Sequence, residues 1–272
     1  MNRILFFGPN GSNTQIAAEK LVDSKFLEPV GSIKKIIDLI DQNSDLTGVV
    51  PIENSIEGTV RETIDCLIKT KDESVKIISE IIVPIEHCLI TRAKDLGQIK
   101  KIYSHPQALA QCSNFIYQKL PSAEIIAAPN TAEAVKMISQ GEESLAAISN
   151  EKAAEIYRVP ILARKISDEE GNQTRFVLIG RENKSKTGKD KTSFVFTTVN
   201  KAGALADVMT VFKKYNINLS HIDSRPSKKE FGAYSFFIEC DAHIEDEVLN
   251  FAIQEMKSLT VFLKFLGSYP RF

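Results

Sequence analysis

The sequence predicts an α/β protein in two parts, a larger sheet covered on both faces followed by a small βαββαβ unit. Three observations carry this. Over the first 180 residues short apolar runs alternate with amphipathic stretches, the pattern of strands alternating with helices. Residues 181–191, RENKSKTGKDK, interrupt that pattern with five basic and two acidic side chains and no large apolar one. A compact succession of six elements then follows.

In the first part, Ile4–Phe7 reads as a strand that stops at Gly8-Pro9, and residues 12–21 as a helix. Residues 47–50 form a strand ending at Pro51. Residues 101–103 are apolar and precede Ser104-His105-Pro106, after which Ala108, Leu109, Cys112, Phe115 and Ile116 recur at helical spacing. Glu124–Ala127 is a strand, Thr131–Ser139 a helix with an N-cap expected at Thr131, and 146–148 a strand. This alternation argues for an α/β sheet with helices on both faces. The charged stretch reads as a solvated linker, or else as a basic contact site for a partner. In the rear part, 193–199 is a strand rich in Phe, Val and Thr, and 204–215 a helix with Leu205, Val208, Met209 and Phe212 on one face. Residues 218–222 and 233–239 are strands separated by Pro226 and Gly232; 244–256 is a helix and 259–266 a strand. The order βαββαβ is the split βαβ of ferredoxin-like domains.

Hydrophobic residues make up 43% and charged residues 25% of the 272-residue chain, a globular composition. Lysine and arginine total 34 against 35 aspartates and glutamates, a formal net charge of −1. Such a chain has no global attraction for nucleic acid or anionic lipid, so anion recognition must be local. The N-terminal apolar run is too short for a signal peptide, and no run approaches the ~20 apolar residues of a bilayer span. Cys66, Cys88, Cys112 and Cys240 stand singly, with no Cys-x-x-Cys or Cys/His cluster, and read as reduced thiols. A cytoplasmic enzyme follows as the default.

Four polar segments carry the candidate chemistry. Gly8-Pro9-Asn10-Gly11-Ser12-Asn13-Thr14 joins a strand to a helix, whose unpaired N–H groups suit a carboxylate; Ser12 is either a plain N-cap or a ligand contact. Pro51 to Val60 follows a strand end, where ligands of open α/β sheets bind, and packs Glu53, Asn54, Ser55 and Glu57 into five residues; helix capping is the plain alternative. Ser104-His105-Pro106-Gln107 is again strand end to helix start, with Pro106 fitting the first helical position. His105 is either structural or an acid facing an anion. Asp168 to Phe176 is an acidic loop that delivers Asn172, Thr174 and Arg175 to the start of an apolar strand; arginine binds carboxylates bidentately. No Walker loop, zinc signature, nucleophile elbow or dinucleotide fingerprint is present, which leaves cofactor-free chemistry on a small anion.

In this order the segments resemble the prephenate dehydratase family over nearly the whole chain. The resemblance is carried by Val49-Val50-Pro51-Ile52-Glu53-Asn54-Ser55 with Glu57-Gly58, by Ser104-His105-Pro106-Gln107-Ala108-Leu109, and by Asn172-x-Thr174-Arg175-Phe176. Ala146-Ala147-Ile148-Ser149, Ala153-Ala154 and Tyr157 support it. The rear part resembles the ACT regulatory domain of these enzymes through Gly203-Ala204-Leu205 and Asp223-Ser224-Arg225-Pro226. Three positions depart from the family pattern: Asn13 stands for an aromatic residue, Asp223 for a glutamate and Ala202 for a proline.

The resemblance implies a bilobal catalytic domain like a type 2 periplasmic binding protein over residues 1–182, with lobe one at 1–80 plus 166–182 and lobe two at 81–165. A linker at 183–191 and an ACT domain at 192–272 complete the expected division. It implies conversion of prephenate to phenylpyruvate with loss of water and carbon dioxide, without metal or cofactor. Thr174 is then expected at the leaving hydroxyl, and Arg175 with the amides of the first loop at the carboxylates. Asn54, Ser55 and His105 would orient the cleft, Glu53 would stand behind them or serve as a local proton source, and Ser12, Gln107, Asn172 and Phe176 would touch substrate. Phenylalanine is expected near Gly203, Ala204, Leu205, Asn218, Leu219, Asp223, Ser224, Arg225 and Pro226, between subunits of a homodimer or homotetramer. The runner-up is an arogenate dehydratase; in a different class stands a non-catalytic small-anion-binding protein with an amino-acid sensor. Fusion to an N-terminal chorismate mutase domain is not expected, because the first strand begins by Arg3.

Overall fold

The structure is a computed structural model that describes residues 3–226 and 234–272. Gly232 and Ala233 of the rear-part reading lie outside the described residues. Lobe one begins with β1 (Ile4–Phe7), α1 (Asn13–Leu21), β2 (Leu27–Val30), α2 (Ile33–Gln42), β3 (Thr47–Asn54), β4 (Gly58–Thr59), α3 (Arg61–Lys69) and β5 (Lys76–Pro84). Lobe two holds β6 (Cys88–Thr91), β7 (Lys101–Ser104), α4 (Pro106–Gln111), α5 (Ser113–Lys119), β8 (Glu124–Ala127), α6 (Thr131–Ser139), β9 (Leu145–Ser149), α7 (Glu151–Tyr157) and β10 (Ile161–Ala163). The chain then returns to lobe one as β11 (Gln173–Gly180). The two sheets run β2-β1-β3-β11-β5, with β4 on β3, and β10-β6-β9-β7-β8. β11 lies antiparallel between β3 and β5. Because β5 runs to Pro84, the first crossing between lobes falls after that residue and not at residue 80.

Local sequence explains the elements. In α2, Ile33, Ile36, Ile37 and Ile40 form one buried stripe, and the Ser32 hydroxyl accepts from the Lys35 N–H at 3.1 Å to cap the start. The N-cap of α6 is Asn130, one residue before the expected Thr131, because the Asn130 Oδ1 accepts from the Glu133 N–H at 2.8 Å. The expected helix after Pro106 is divided into α4 and α5 at Cys112.

The rear part is β12 (Asp190–Thr197), α8 (Ala204–Lys214), β13 (Leu219–Pro226), β14 (Tyr234–Cys240), α9 (Glu247–Leu259) and β15 (Phe262–Pro270). Its four-stranded sheet has the order β13-β14-β12-β15. One face packs Phe194, Phe196 and Ile238 against Val208, Phe212, Leu249 and Met256 of the two helices. The other face places Val195, Phe237 and Leu266 in one core with Val75, Ile77, Val177 and Ile179 of lobe one. The expected linker is therefore shorter than the charge pattern implies. Asp190 and Lys191 belong to β12 and are buried, Lys191 by pairing with Glu80 at 3.0 Å. Among the described residues no helix is long and apolar enough to cross a membrane.

The two parts meet backbone against backbone at Gly267. Its φ is +145°, and a Cβ there would stand 2.2 Å from the Ile77 carbonyl oxygen of β5. No side chain fits between the two backbones. Gly267→Ala should cost at least about 2 kcal/mol and lower the thermal unfolding midpoint by several degrees. An unchanged midpoint would contradict this packing.

Candidate active site

The cleft between the lobes encloses about 320 Å³. Strand periodicity decides which side chains reach it. Side chains alternate between faces along a strand, so Asn172, Thr174 and Phe176 line the cleft while Arg175 points the other way. On β3 the same alternation sends Asn54 to the cleft and Glu53 behind it. The expectation that Arg175 holds a substrate carboxylate therefore meets a different geometry. Arg175 is 6% exposed, and its guanidinium is taken up by Glu53, Glu80 and Glu239 at 2.7–3.0 Å. Ser55 also stays out of the cleft lining; it is exposed, and its Oγ accepts from the Gln173 N–H at 3.0 Å, pinning the loop to β11.

A chain of side-chain hydrogen bonds crosses the floor of the cleft, and its polarity is set by the backbone. The Asn54 Oδ1 accepts from the N–H groups of Ile56 and Glu57 at 3.0 and 3.1 Å. Its Nδ2 must then donate, to the Thr174 Oγ1 at 2.9 Å and the Asn172 Oδ1 at 2.8 Å. The Asn172 Nδ2 in turn donates to the Gln111 Oε1 at 3.2 Å, which lies 3.0 Å from the His87 Nε2. A carboxamide oxygen only accepts, so Nε2 carries the imidazole proton and Nδ1 is left with a lone pair. Neither that Nδ1 nor the Gln111 Nε2 finds a partner among the described residues. Burial holds the His87 pKa below the usual histidine value, only partly offset by Gln111, so the ring is neutral at ordinary pH. Because Thr174 Oγ1 accepts from Asn54, its own proton is left for another acceptor.

Ser12 is the N-cap of α1: its Oγ donates to the Phe7 carbonyl at 2.9 Å and accepts from the Gln15 N–H at 3.2 Å. His105 caps α4 by accepting from the Gln107 N–H at Nδ1, 3.3 Å, and both residues line the cleft. The starts of α1 and α6, at Asn13, Thr14, Asn130 and Thr131, face it from opposite lobes. Among the described lining residues there is no Asp, Glu, Lys or Arg. The lobes are latched at the first loop. Gly11 has a φ of +86°, and a Cβ on it would lie 3.0 Å from the Ala153 Cα. Asn150 Nδ2 donates to the Gly11 carbonyl at 3.0 Å and to the Asn13 Oδ1 at 2.8 Å. Asn13, where the family pattern has a ring, is here a polar tie between lobes.

His87 and Gln111 were not among the residues singled out from the sequence. Gln111 had a signal, since it follows Gln107 by four residues and shares its helical face. His87 had little, as a histidine just after an apolar strand.

In the rear domain, Gly203, Ala204 and Leu205 line a hollow with Met209 at the start of α8. Asn218, Leu219 and residues 223–226 of the same chain do not line it. Asn218 donates to Asp241 at 2.6 Å, and Arg225 turns to lobe one, where it donates to the Arg61 carbonyl at 3.0 Å. The Asp223 Oδ2 is buried with no hydrogen-bond partner among the described residues.

A bilobal α/β cleft with a convergent polar floor, joined to a βαββαβ domain, defines the class as a two-lobed ligand-binding α/β fold with a ferredoxin-like domain attached. The family models for prephenate dehydratase and for the ACT domain match residues 4–184 and 192–250. The chain is 39% identical to a prephenate dehydratase of Methanocaldococcus jannaschii over all of both chains. It is 38% identical to a bifunctional chorismate mutase/prephenate dehydratase of Aquifex aeolicus, over 99% of this chain and 74% of that one. The crystal structure of an Arthrobacter aurescens prephenate dehydratase in complex with L-Phe superposes with a TM-score of 0.91, at 30% identity and covering 99% of this chain and 90% of that one. The chain belongs to the prephenate dehydratase family.

Glu53, behind the cleft, stays ionised at neutral pH. The hydrogen bond with His221, and the nearby Arg175, outweigh burial and hold its carboxyl at about 2. It is thus no proton source at neutral pH. A carboxyl with a depressed folded pKa stabilises the fold above its unfolded value, here 4.5, and that contribution is lost as pH falls toward about 2. The stability difference between wild type and Glu53→Gln, measured by urea unfolding, should therefore be full at neutral pH and shrink below about pH 4.5. A difference that stays constant down to about pH 2 contradicts the ionised pair.

Proposed function

We propose that this protein is a prephenate dehydratase of phenylalanine biosynthesis, a carbon–oxygen lyase under feedback control by L-phenylalanine. The observation that carries the reading is the Thr174 hydroxyl, held by Asn54 on the floor of an anion-suited cleft, in a chain of this family. In the reaction the bond from the ring to its carboxylate breaks and the carbon leaves as CO₂. That electron pair enters the ring, the bond to the ring hydroxyl breaks on the other side, and a proton joins the departing oxygen to make water. Hydroxide leaves poorly, so a donor must reach it. Thr174 supplies a hydrogen bond to that oxygen; its hydroxyl is too weak an acid for early full proton transfer. Aromatisation drives the step, and positioning supplies much of the remainder.

The cleft offers the two carboxylates neutral donors. The first N–H groups of α1 and α6 have no intrahelical acceptor and carry positive dipole character. Gln107, Asn172 and His105 complete the walls, and Phe176 with Phe7 faces the ring. An amino-bearing substrate such as arogenate needs an anion or strong acceptors for its ammonium, and no Asp or Glu is among the described lining residues. That favours prephenate.

The reading includes a cytoplasmic location, which the four free cysteines suit, and a homodimer or homotetramer. Phenylalanine is assigned to the hollow at Gly203–Leu205 completed by the 218–226 strand of another subunit, since one chain does not bring the two together. Closure of the lobes about the two crossing segments would exclude water.

Thr174→Ala should lower kcat for phenylpyruvate formation by at least about a hundredfold, with Thr174→Ser retaining most of it. Near-normal turnover by the alanine variant would remove Thr174 from the mechanism. Wild-type kcat/KM for prephenate should exceed that for arogenate by about tenfold or more, and the reverse order would make the protein an arogenate dehydratase. Activity that ignores millimolar phenylalanine would exclude the feedback reading.

A further inference from the structure

Arg175 and Glu53 are each one residue from a cleft side chain, Thr174 and Asn54, and both point backwards into the ACT domain. The Arg175 Nη1 and Nη2 donate to the two oxygens of Glu239 at 2.9 and 2.7 Å, a fork-on-fork pair. Its Nη1 also reaches Glu80 at 2.9 Å and its Nε reaches Glu53 at 3.0 Å. Glu239, on β14, is 1% exposed and is fixed in turn by the hydroxyls of Ser193 and Tyr269, both at 3.1 Å. Glu53 faces His221 of β13 at 3.4 Å, and the same imidazole lies 3.1 Å from the Thr59 hydroxyl. The two strands that carry the cleft floor are thus gripped from behind by two strands of the other domain.

The position of that grip matters. In the ladder, Thr174 stands opposite Asn54 and Arg175 opposite Glu53, and the register between β11 and β3 shifts immediately afterwards, between Arg175 and Phe176. Irregular pairing leaves the local backbone less determined by the ladder, and such shifts re-aim side chains. On its other edge β11 pairs regularly with β5 around Arg175, and the bidentate anchor there adds a constraint on the irregular β3 side, one residue from the Thr174 hydroxyl. A buried ion cluster of this kind adds little stability over apolar groups of similar volume, and apolar docking is already provided by Val195, Phe237 and Leu266.

We propose that Glu239 of the ACT domain is a positioning residue for the reaction: through Arg175 it sets where the Thr174 hydroxyl stands, and by this route the state of the sensor domain reaches the cleft. The inference rests on the dehydratase reading.

The test compares full-length wild type, Glu239→Gln and Lys264→Met in steady-state phenylpyruvate formation. Lys264 also bridges the domains, donating to the carbonyls of Ile68 and Thr70 at 3.1 and 2.9 Å at the end of α3, yet it touches neither β3 nor β11. Glu239→Gln should lower kcat about tenfold or more, with the KM for prephenate within about threefold, because misplacement affects the transition state more than binding. Lys264→Met should keep kcat within about twofold. Combined with Thr174→Ala, Glu239→Gln should cost little more than the alanine change alone, since no hydroxyl is left to position. Wild-type kcat in Glu239→Gln, losses that multiply independently, or an equal fall in Lys264→Met each overturn the proposal. If Glu239→Gln does not fold, Tyr269→Phe removes one hydrogen bond from Glu239 and should lower kcat by about threefold; an unchanged kcat there overturns it too. A wild-type chain inactive on prephenate overturns the dehydratase reading itself, which variants with normal activity do not.

Discussion

Arg175 is held by carboxylates from three strands of two domains, and most of the architecture can be traced from that contact. It lies on β11, the strand that returns from lobe two and closes the sheet of lobe one between β3 and β5. One face of β11 carries the cleft floor and the other carries Arg175, because side chains alternate along a strand. Burying a guanidinium requires full pairing, and the partners come from β3, β5 and β14 together. The ACT sheet is consequently docked on the back of the catalytic strands. Arg225 donates to the start of α3 and Lys264 to its end, so that helix is held along its length by the same sheet. Gly267 lets the strand backbones approach where no side chain fits.

Much of this could be read from the sequence, and the parts that could not have one cause. Strands, helices and the βαββαβ order follow from apolar period and turn residues, which are local. Asn54, Thr174, Gln107 and Asn172 were legible as candidates through the family resemblance, since crowding alone left helix capping open, and all four line the cleft. Arg175 was legible as important but not in its direction. Its role depends on which face of β11 meets which domain, a long-range fact that residue type does not carry. The same holds for Lys191, whose charge placed it in a linker while Glu80 and Glu239 draw it into the core. His87 and Gln111 matter only through partners distant in sequence. Ser12 shows the converse case, where a plain capping role and a place at the cleft wall coincide.

The floor of the cleft gains its definition from neutral groups. Two backbone N–H groups orient the Asn54 amide, and each following amide in the chain has its orientation imposed by the one before. The outcome at one end is a threonine hydroxyl with its proton free, and at the other a neutral histidine with a free lone pair. A charged group inserted into this chain would reverse or scramble those polarities, so the separation of charges behind the strands from amides in front has a chemical purpose.

The absence of cationic side chains among the described cleft-lining residues then fits the proposed reaction better than the arginine clamp expected from residue type. The ring carboxylate must lose its negative charge as it departs as CO₂. A fixed guanidinium beside it would stabilise the charged ground state more than the transition state, and interactions stronger in the ground state slow the chemical step. Helix N-termini and amide donors hold an anion with partial charges, and so lose less when the charge moves into the ring and on to the departing oxygen. At that oxygen charge grows instead, and the proposed reaction assigns the Thr174 hydroxyl, which lines the cleft, to meet it. The arginine one residue away is tied behind the strand to Glu53, Glu80 and Glu239, which is where the proposed positioning role puts its charge to use.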